Sequence, residues 1–130
     1  MQYISILDIV GPAMVGPSSS HTAGAVRLAL LARKIHKSEP QNVKITLYNS
    51  FAKTGKGHGT DKAIIAGLLG YNPDDERIKQ SLSLAKEAGL TFSFAKKNDD
   101  DRHPNSVDFE FIHAKMFISG NSLGAGKISI

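Results

Sequence analysis

The chain has 130 residues, 41% hydrophobic and 22% charged, which suits one soluble domain with a sizeable core, read as a single unit over residues 1–130. No apolar run approaches the ~20 residues of a membrane-crossing helix, and Met1 to Val10 has neither the basic region nor the cleavage site of a secretory leader. A cytoplasmic protein with no membrane partner is therefore expected. The sequence contains 0 cysteines, which excludes disulfides, thiol nucleophiles and thiolate-held metal clusters within this chain. Its formal charge of +4 comes from cations scattered singly or in pairs among acids, which argues against nucleic acid.

Met1 to Val15 reads as a short extended or helical arm whose Tyr3, Ile6, Ile9 and Val10 pack on the body. A helical pattern then runs from Ala25 to Lys37, with Ala25, Leu28, Leu31, Ala32 and Ile35 on one face and Arg33, Lys34, His36 and Lys37 in the last turns, where cations suit the dipole. His36 reads as a solvated helix-end residue. Val43 to Tyr48 alternates as a half-buried strand, residues 49–61 read as a loop, and Ala63 to Leu69 as a second helix stopped by Gly70-Tyr71-Asn72-Pro73. A third helix starts near Asp74-Asp75-Glu76 and closes at Ala88-Gly89. Thr91 to Ala95 is a short strand, followed by a polar loop. Ser106 to His113 and Lys115 to Ser119 form a hairpin, then Gly120 to Gly126 is a glycine-rich turn before Lys127 to Ile130. This order predicts an α+β fold, a mixed sheet with helices packed on one side.

Two stretches stand out chemically. In Gly16-Pro17-Ser18-Ser19-Ser20-His21-Thr22-Ala23-Gly24, four hydroxyls and a histidine are placed where a rigid Gly-Pro turn gives way to the helix. Unpartnered N–H groups and the dipole make such a start attractive to an anion such as a carboxylate. Ser20 or Thr22 could cap the helix, which accounts for only one hydroxyl. In Gly55-Lys56-Gly57-His58-Gly59-Thr60-Asp61, three glycines permit unusual dihedrals and leave His58 as the large polar side chain, with Thr60 or Asp61 able to cap the next helix. This loop fits neither the P-loop nor the dinucleotide fingerprint. An ordinary flexible loop with an incidental histidine is the competing reading.

The segment from Gly16 to Ile35 resembles the amino-terminal signature of iron–sulfur-dependent L-serine dehydratases, of the β chain of the two-subunit bacterial type. Gly57 to Asp61 is similar to a second signature, His103-Pro104-Asn105 to a third, and Ser122 to Ile128 to a fourth, where Ala125 departs from the usual run of glycines. The resemblance implies a fold like the allosteric substrate-binding domain of phosphoglycerate dehydrogenase. It also implies an α chain whose cysteines hold a [4Fe–4S] cluster, with an open iron acting as Lewis acid on the serine hydroxyl. The ACT domain of the family has no counterpart within residues 1–130, and self-association into a homo-oligomer is expected.

Dehydration of L-serine needs a base for the Cα proton and donors for the carboxylate. Histidine suits the first task, with an unperturbed pKa of ~6.5. On the resemblance, His58 is expected as proton acceptor and His21 as its catalytic support. Ser18, Ser19, Ser20, Thr22, Gly59, Thr60, Asp61, His103 and Asn105 are expected to bind or line the site for L-serine. The products would be pyruvate and ammonia, by way of aminoacrylate. His113 reads as a structural or surface residue. The alternative reading is a non-catalytic module that senses L-serine and docks on the enzyme.

Overall fold

A computed structural model describes residues 2–5, 20–54, 59–123 and 127–129, with no side-chain description for 2–5, 20, 21, 54, 123 and 127–129. Alternation turns into a two-sided sheet at β2 (Asn42–Tyr48) and β4 (Ser106–Phe111). Val43, Ile45 and Leu47 pair antiparallel with Phe111, Phe109 and Val107, and all six are buried in one core. Successive strand residues point to opposite faces, so Tyr48 and Asp108 lie on the other side. β1 (Gln2–Ser5), β3 (Thr91–Lys97), β5 (Met116–Leu123) and β6 (Lys127–Ser129) complete a six-stranded mixed sheet in the order β1-β5-β4-β2-β3, with β6 on β5.

The core face is covered by α1 (Ser20–His36) and α3 (Thr60–Leu68). Val26, Leu28, Ala29 and Ala32 meet Ile64, Ile65 and Leu68, and both sets join the strand residues in one cluster. Burial of that apolar stripe drives the packing. The two helices come close because Gly67 has no side chain: a Cβ there would lie 2.4 Å from the Val26 carbonyl oxygen and 2.5 Å from the Ala29 methyl. The predicted α+β fold with helices against a mixed sheet is thus observed.

Several boundaries differ from the sequence expectations. α1 starts at Ser20 rather than Ala25, so Thr22 lies inside the first turn and not at its cap. The early start follows from tertiary contact, since Ala23, Gly24 and Ala25 are small and buried. Residues 49–54, expected as loop, form α2 (Asn49–Thr54), which places Phe51 and Ala52 in the core. Such a short helix has no stability of its own and depends on that burial. The third helix is divided into a 3-10 turn (Glu76–Gln80), with the Asp75 side chain accepting from the Arg77 N–H, and α4 (Ser81–Glu87). β5 runs on through Gly120, Asn121 and Ser122, because pairing with β4 and β6 satisfies its backbone on both edges. β4 ends at Phe111, which leaves His113 exposed in the turn before β5. His36 is not simply solvated: its ring lies 4.6 Å from that of Phe111.

Candidate functional site

Strand direction decides where the loops meet. β1 and β3 run parallel to β5 and β2 respectively, while β4 runs antiparallel to both β2 and β5. The carboxyl ends of β1, β2, β3 and β5 therefore lie along one edge, with the start of β4. α1 runs back across the sheet, since Gly24 touches Ser122 near the end of β5 and His36 touches Phe111 at the end of β4. α3 runs alongside it in the same sense: Gly67 meets Val26 and Ala29, and Arg33 donates to the Leu68 carbonyl at 2.9 Å. Both helices thus begin at the edge where the parallel strands end, the edge at which open α/β sheets take ligands.

The β3–β4 connection is held there by Asn49, a non-glycine residue at φ 54°. Its amide Nδ2 donates to the carbonyls of Asp99, Arg102 and His103, and its Oδ1 accepts from the Asp99 N–H at 2.9 Å. The Phe51 N–H donates to the Pro104 carbonyl at 3.3 Å, and the Ser122 N–H to the Asn105 carbonyl at 2.8 Å. Within the connection, the Asn105 N–H donates to Nδ1 of His103 at 3.0 Å. A Cβ on Gly24 would sit 2.0 Å from the Ser122 Oγ, so Ser122 links the first turns of α1 to the His103–Asn105 segment.

Beside that loop lies a cluster that sequence reasoning missed. Asp108, 5% exposed, accepts from Tyr48 Oη at 2.7 Å, Ser119 Oγ at 2.7 Å, and Arg102 at 2.7 and 3.2 Å. Arg102 also donates to Ser106 Oγ and lies 4.0 Å over the Tyr48 ring. Burial pushes the Asp108 carboxyl up, but the bonds from Arg102, Ser119 and Tyr48 outweigh it and hold the group below the usual carboxylate range. Burial, together with the Asp108 charge, raises the Tyr48 phenol against the opposing pull of Arg102. No local pattern announces this cluster, because its parts meet only through the β2–β4 register, in which Thr46 faces Asp108.

The other expected residues are placed as follows. Ser20 and His21 open α1, and Thr22 is half-buried in its first turn. Gly59 precedes α3 at φ 89°, Thr60 is buried, and Asp61 accepts from the Lys62 N–H at 2.8 Å. Gly59 itself occupies the cap position of α3 with no side-chain bond, so neither Thr60 nor Asp61 caps that helix. Ser18, Ser19 and His58 lie outside the described residues. A concavity lined by Glu39, Asn42, Leu69, Thr91 and His113 opens at the opposite edge of the sheet and holds none of the expected site residues.

Among the described residues no group of three His, Cys, Asp or Glu side chains could hold a metal ion, and the sequence has no cysteine. No helix of the described residues is long and apolar enough to cross a membrane.

Residues 5–91 match the family described as serine dehydratase beta chain. The chain belongs to that family. The L-serine dehydratase beta chain of Peptoniphilus asaccharolyticus is 47% identical over 130 residues, covering 97% of this chain and 59% of its own length. The probable L-serine dehydratase beta chain of Bacillus subtilis is 45% identical over 132 residues, covering 100% and 60%. The L-serine dehydratase of Streptomyces coelicolor is 38% identical over 115 residues, covering 75% of this chain but 24% of that protein. This serine dehydratase beta-type chain spans about three fifths of the length of the first two relatives. The family match covers α1, β2, α2 and α3, the elements that carry the first two sequence signatures and the Asn49 clamp.

Proposed function

We propose that this chain supplies one half of an L-serine dehydratase site, completed by a cysteine-bearing α chain in the cytoplasm. The observation that carries the reading is the shared edge: the starts of α1 and α3, the His103–Asn105 segment and the end of β5 all lie where the parallel strands end. The residues of this chain do not fit a [4Fe–4S] group, so such a cluster belongs to the partner.

The part of this chain is to hold the substrate and move its proton. His58 takes the Cα proton of L-serine, supported by His21, while Ser18, Ser19, Ser20 and Thr22, with Gly59, Thr60 and Asp61, orient the amino acid. N–H groups at a helix's first turn, which lack an intrahelical acceptor, suit the substrate carboxylate. Loss of the Cα proton and of the β-hydroxyl leaves aminoacrylate, whose imine tautomer hydrolyses to pyruvate and ammonia.

The test mixes the chain with the cysteine-bearing α chain under anaerobic conditions and follows pyruvate formed from L-serine. Turnover is expected from the mixture and from neither chain alone, and His58→Ala should reduce it by about 10²-fold or more. Unchanged turnover in that variant removes His58 from the mechanism. Calorimetric binding of L-serine to this chain alone, with turnover indifferent to its presence, would instead favour a sensing module.

A further inference from the structure

His103 carries a feature that the dehydratase reading does not use. Pro104 turns the chain so that the Asn105 N–H comes back onto the His103 ring, donating to Nδ1 at 3.0 Å. A backbone N–H can only donate, so Nδ1 must be the unprotonated nitrogen and the ring proton must sit on Nε2. The backbone around the ring is held independently: Asn49 bonds the His103 carbonyl, Phe51 the Pro104 carbonyl and Ser122 the Asn105 carbonyl. Fixed on both sides, the segment keeps the Asn105 N–H in place against Nδ1 of the ring. The Nε2–H has no partner among the described residues, and the side chain is only partly buried.

We infer that His103 is held as the Nε2–H tautomer and serves as a hydrogen-bond donor to the substrate carboxylate, not as a base. The inference rests on the dehydratase reading for the identity of its ligand, and on the His103–Asn105 geometry for its chemistry. An imidazole whose outward nitrogen already carries the proton cannot accept one there. It can offer a charge-assisted hydrogen bond to an anion without bringing a full positive charge into the cleft. The division of labour follows: one histidine removes the proton while another, locked by its own backbone, grips the carboxylate.

Two measurements test this. In the full chain labelled with ¹⁵N-histidine, long-range proton–nitrogen correlation spectra at neutral pH should show the protonated nitrogen of His103 at Nε2. A proton at Nδ1, or an average between the two tautomers, overturns the inference. In the complex with the α chain, His103→Ala and His103→Asn should raise KM for L-serine about tenfold or more with kcat little changed, the mark of uniform binding lost. His103→Gln, whose amide N–H₂ reaches the position of Nε2, should recover most of that loss. Equal damage from Gln and Ala, or a fall in kcat at constant KM, overturns the donor role. A wild-type complex that does not turn over L-serine refutes the dehydratase reading and the carboxylate ligand together, while the tautomer is still decided by the spectra.

Discussion

Asp108→Ala is the sharpest test of how the loop is anchored. The carboxylate is 5% exposed and accepts four hydrogen bonds, so its removal strands the Tyr48 hydroxyl and the Arg102 guanidinium together. Breaking a fully buried pair by removing one partner costs about 3–5 kcal/mol. Arg102, however, keeps 26% of its side chain in solvent and retains the Ser106 hydroxyl as acceptor. The loss should therefore fall below that range, at about 2–3 kcal/mol. Urea unfolding followed by far-ultraviolet circular dichroism would read it as a lower midpoint at constant slope. The pH dependence has a definite sign. Because the folded carboxyl is held below its ordinary range, its stabilisation is complete above the unfolded value of ~3.9 and fades as pH falls below it. Wild type and variant should thus differ by a constant amount above about pH 5, and the gap should narrow as pH falls below the unfolded value through the lower range of the folded carboxyl. A loss under ~0.5 kcal/mol at pH 7, or a gap that does not narrow in acid, would refute the reasoning.

Other perturbations reach different joints of the same framework. Gly67→Ala drives a methyl into the backbone of α1 at 2.4 Å, which cannot give way. After the propensity gain of up to ~1 kcal/mol, a net loss of about 2 kcal/mol is expected in denaturant unfolding. Gly24→Ala should cost about 1–2 kcal/mol through its clash with Ser122 Oγ, and adding Ser122→Ala should recover about half, since the Ser122 Cβ at 3.2 Å remains close. Asn49→Gly keeps the positive φ but removes the clamp, so amide hydrogen exchange should quicken in residues 99–103 while the core of β2 and β4 stays protected. Unaltered exchange in that loop would show that Asn49 does not hold it. At the alkaline end, the raised Tyr48 phenol contributes stability that is present below the unfolded value of ~10 and lost as pH rises through the folded one. Tyr48→Phe should remove that alkaline loss.

The legible parts of the fold are those whose signal is local. β2 and β4 were readable because Val43, Ile45 and Leu47, and Val107, Phe109 and Phe111, repeat at the two-residue period of a half-buried strand. α1 and α3 were readable from their helical spacing. α2 was not, since six residues are too few to show a period and its reason for being helical is the burial of Phe51 and Ala52. Asp108 could be assigned to the sheet face away from the helices, but not to a buried ion pair, because Tyr48 lies 60 positions earlier and Arg102 reaches the pair from a loop. Resemblance to the family signature points to His103 and Asn105 as site residues. The bond between them depends on a backbone turn that residue types alone do not specify.

The sequence by itself determined the chemistry on offer: four signature stretches rich in histidine, hydroxyl and glycine, no cysteine, and the segments that must be strand or helix. Those properties are written in residue identity and in short repeats set by backbone geometry. Only the tertiary structure decided that separate stretches open on one edge, and that Tyr48, Arg102 and Asp108 close into a single cluster. Strand direction, register and the return path of each helix are collective, because each is chosen by burying all the apolar faces at once.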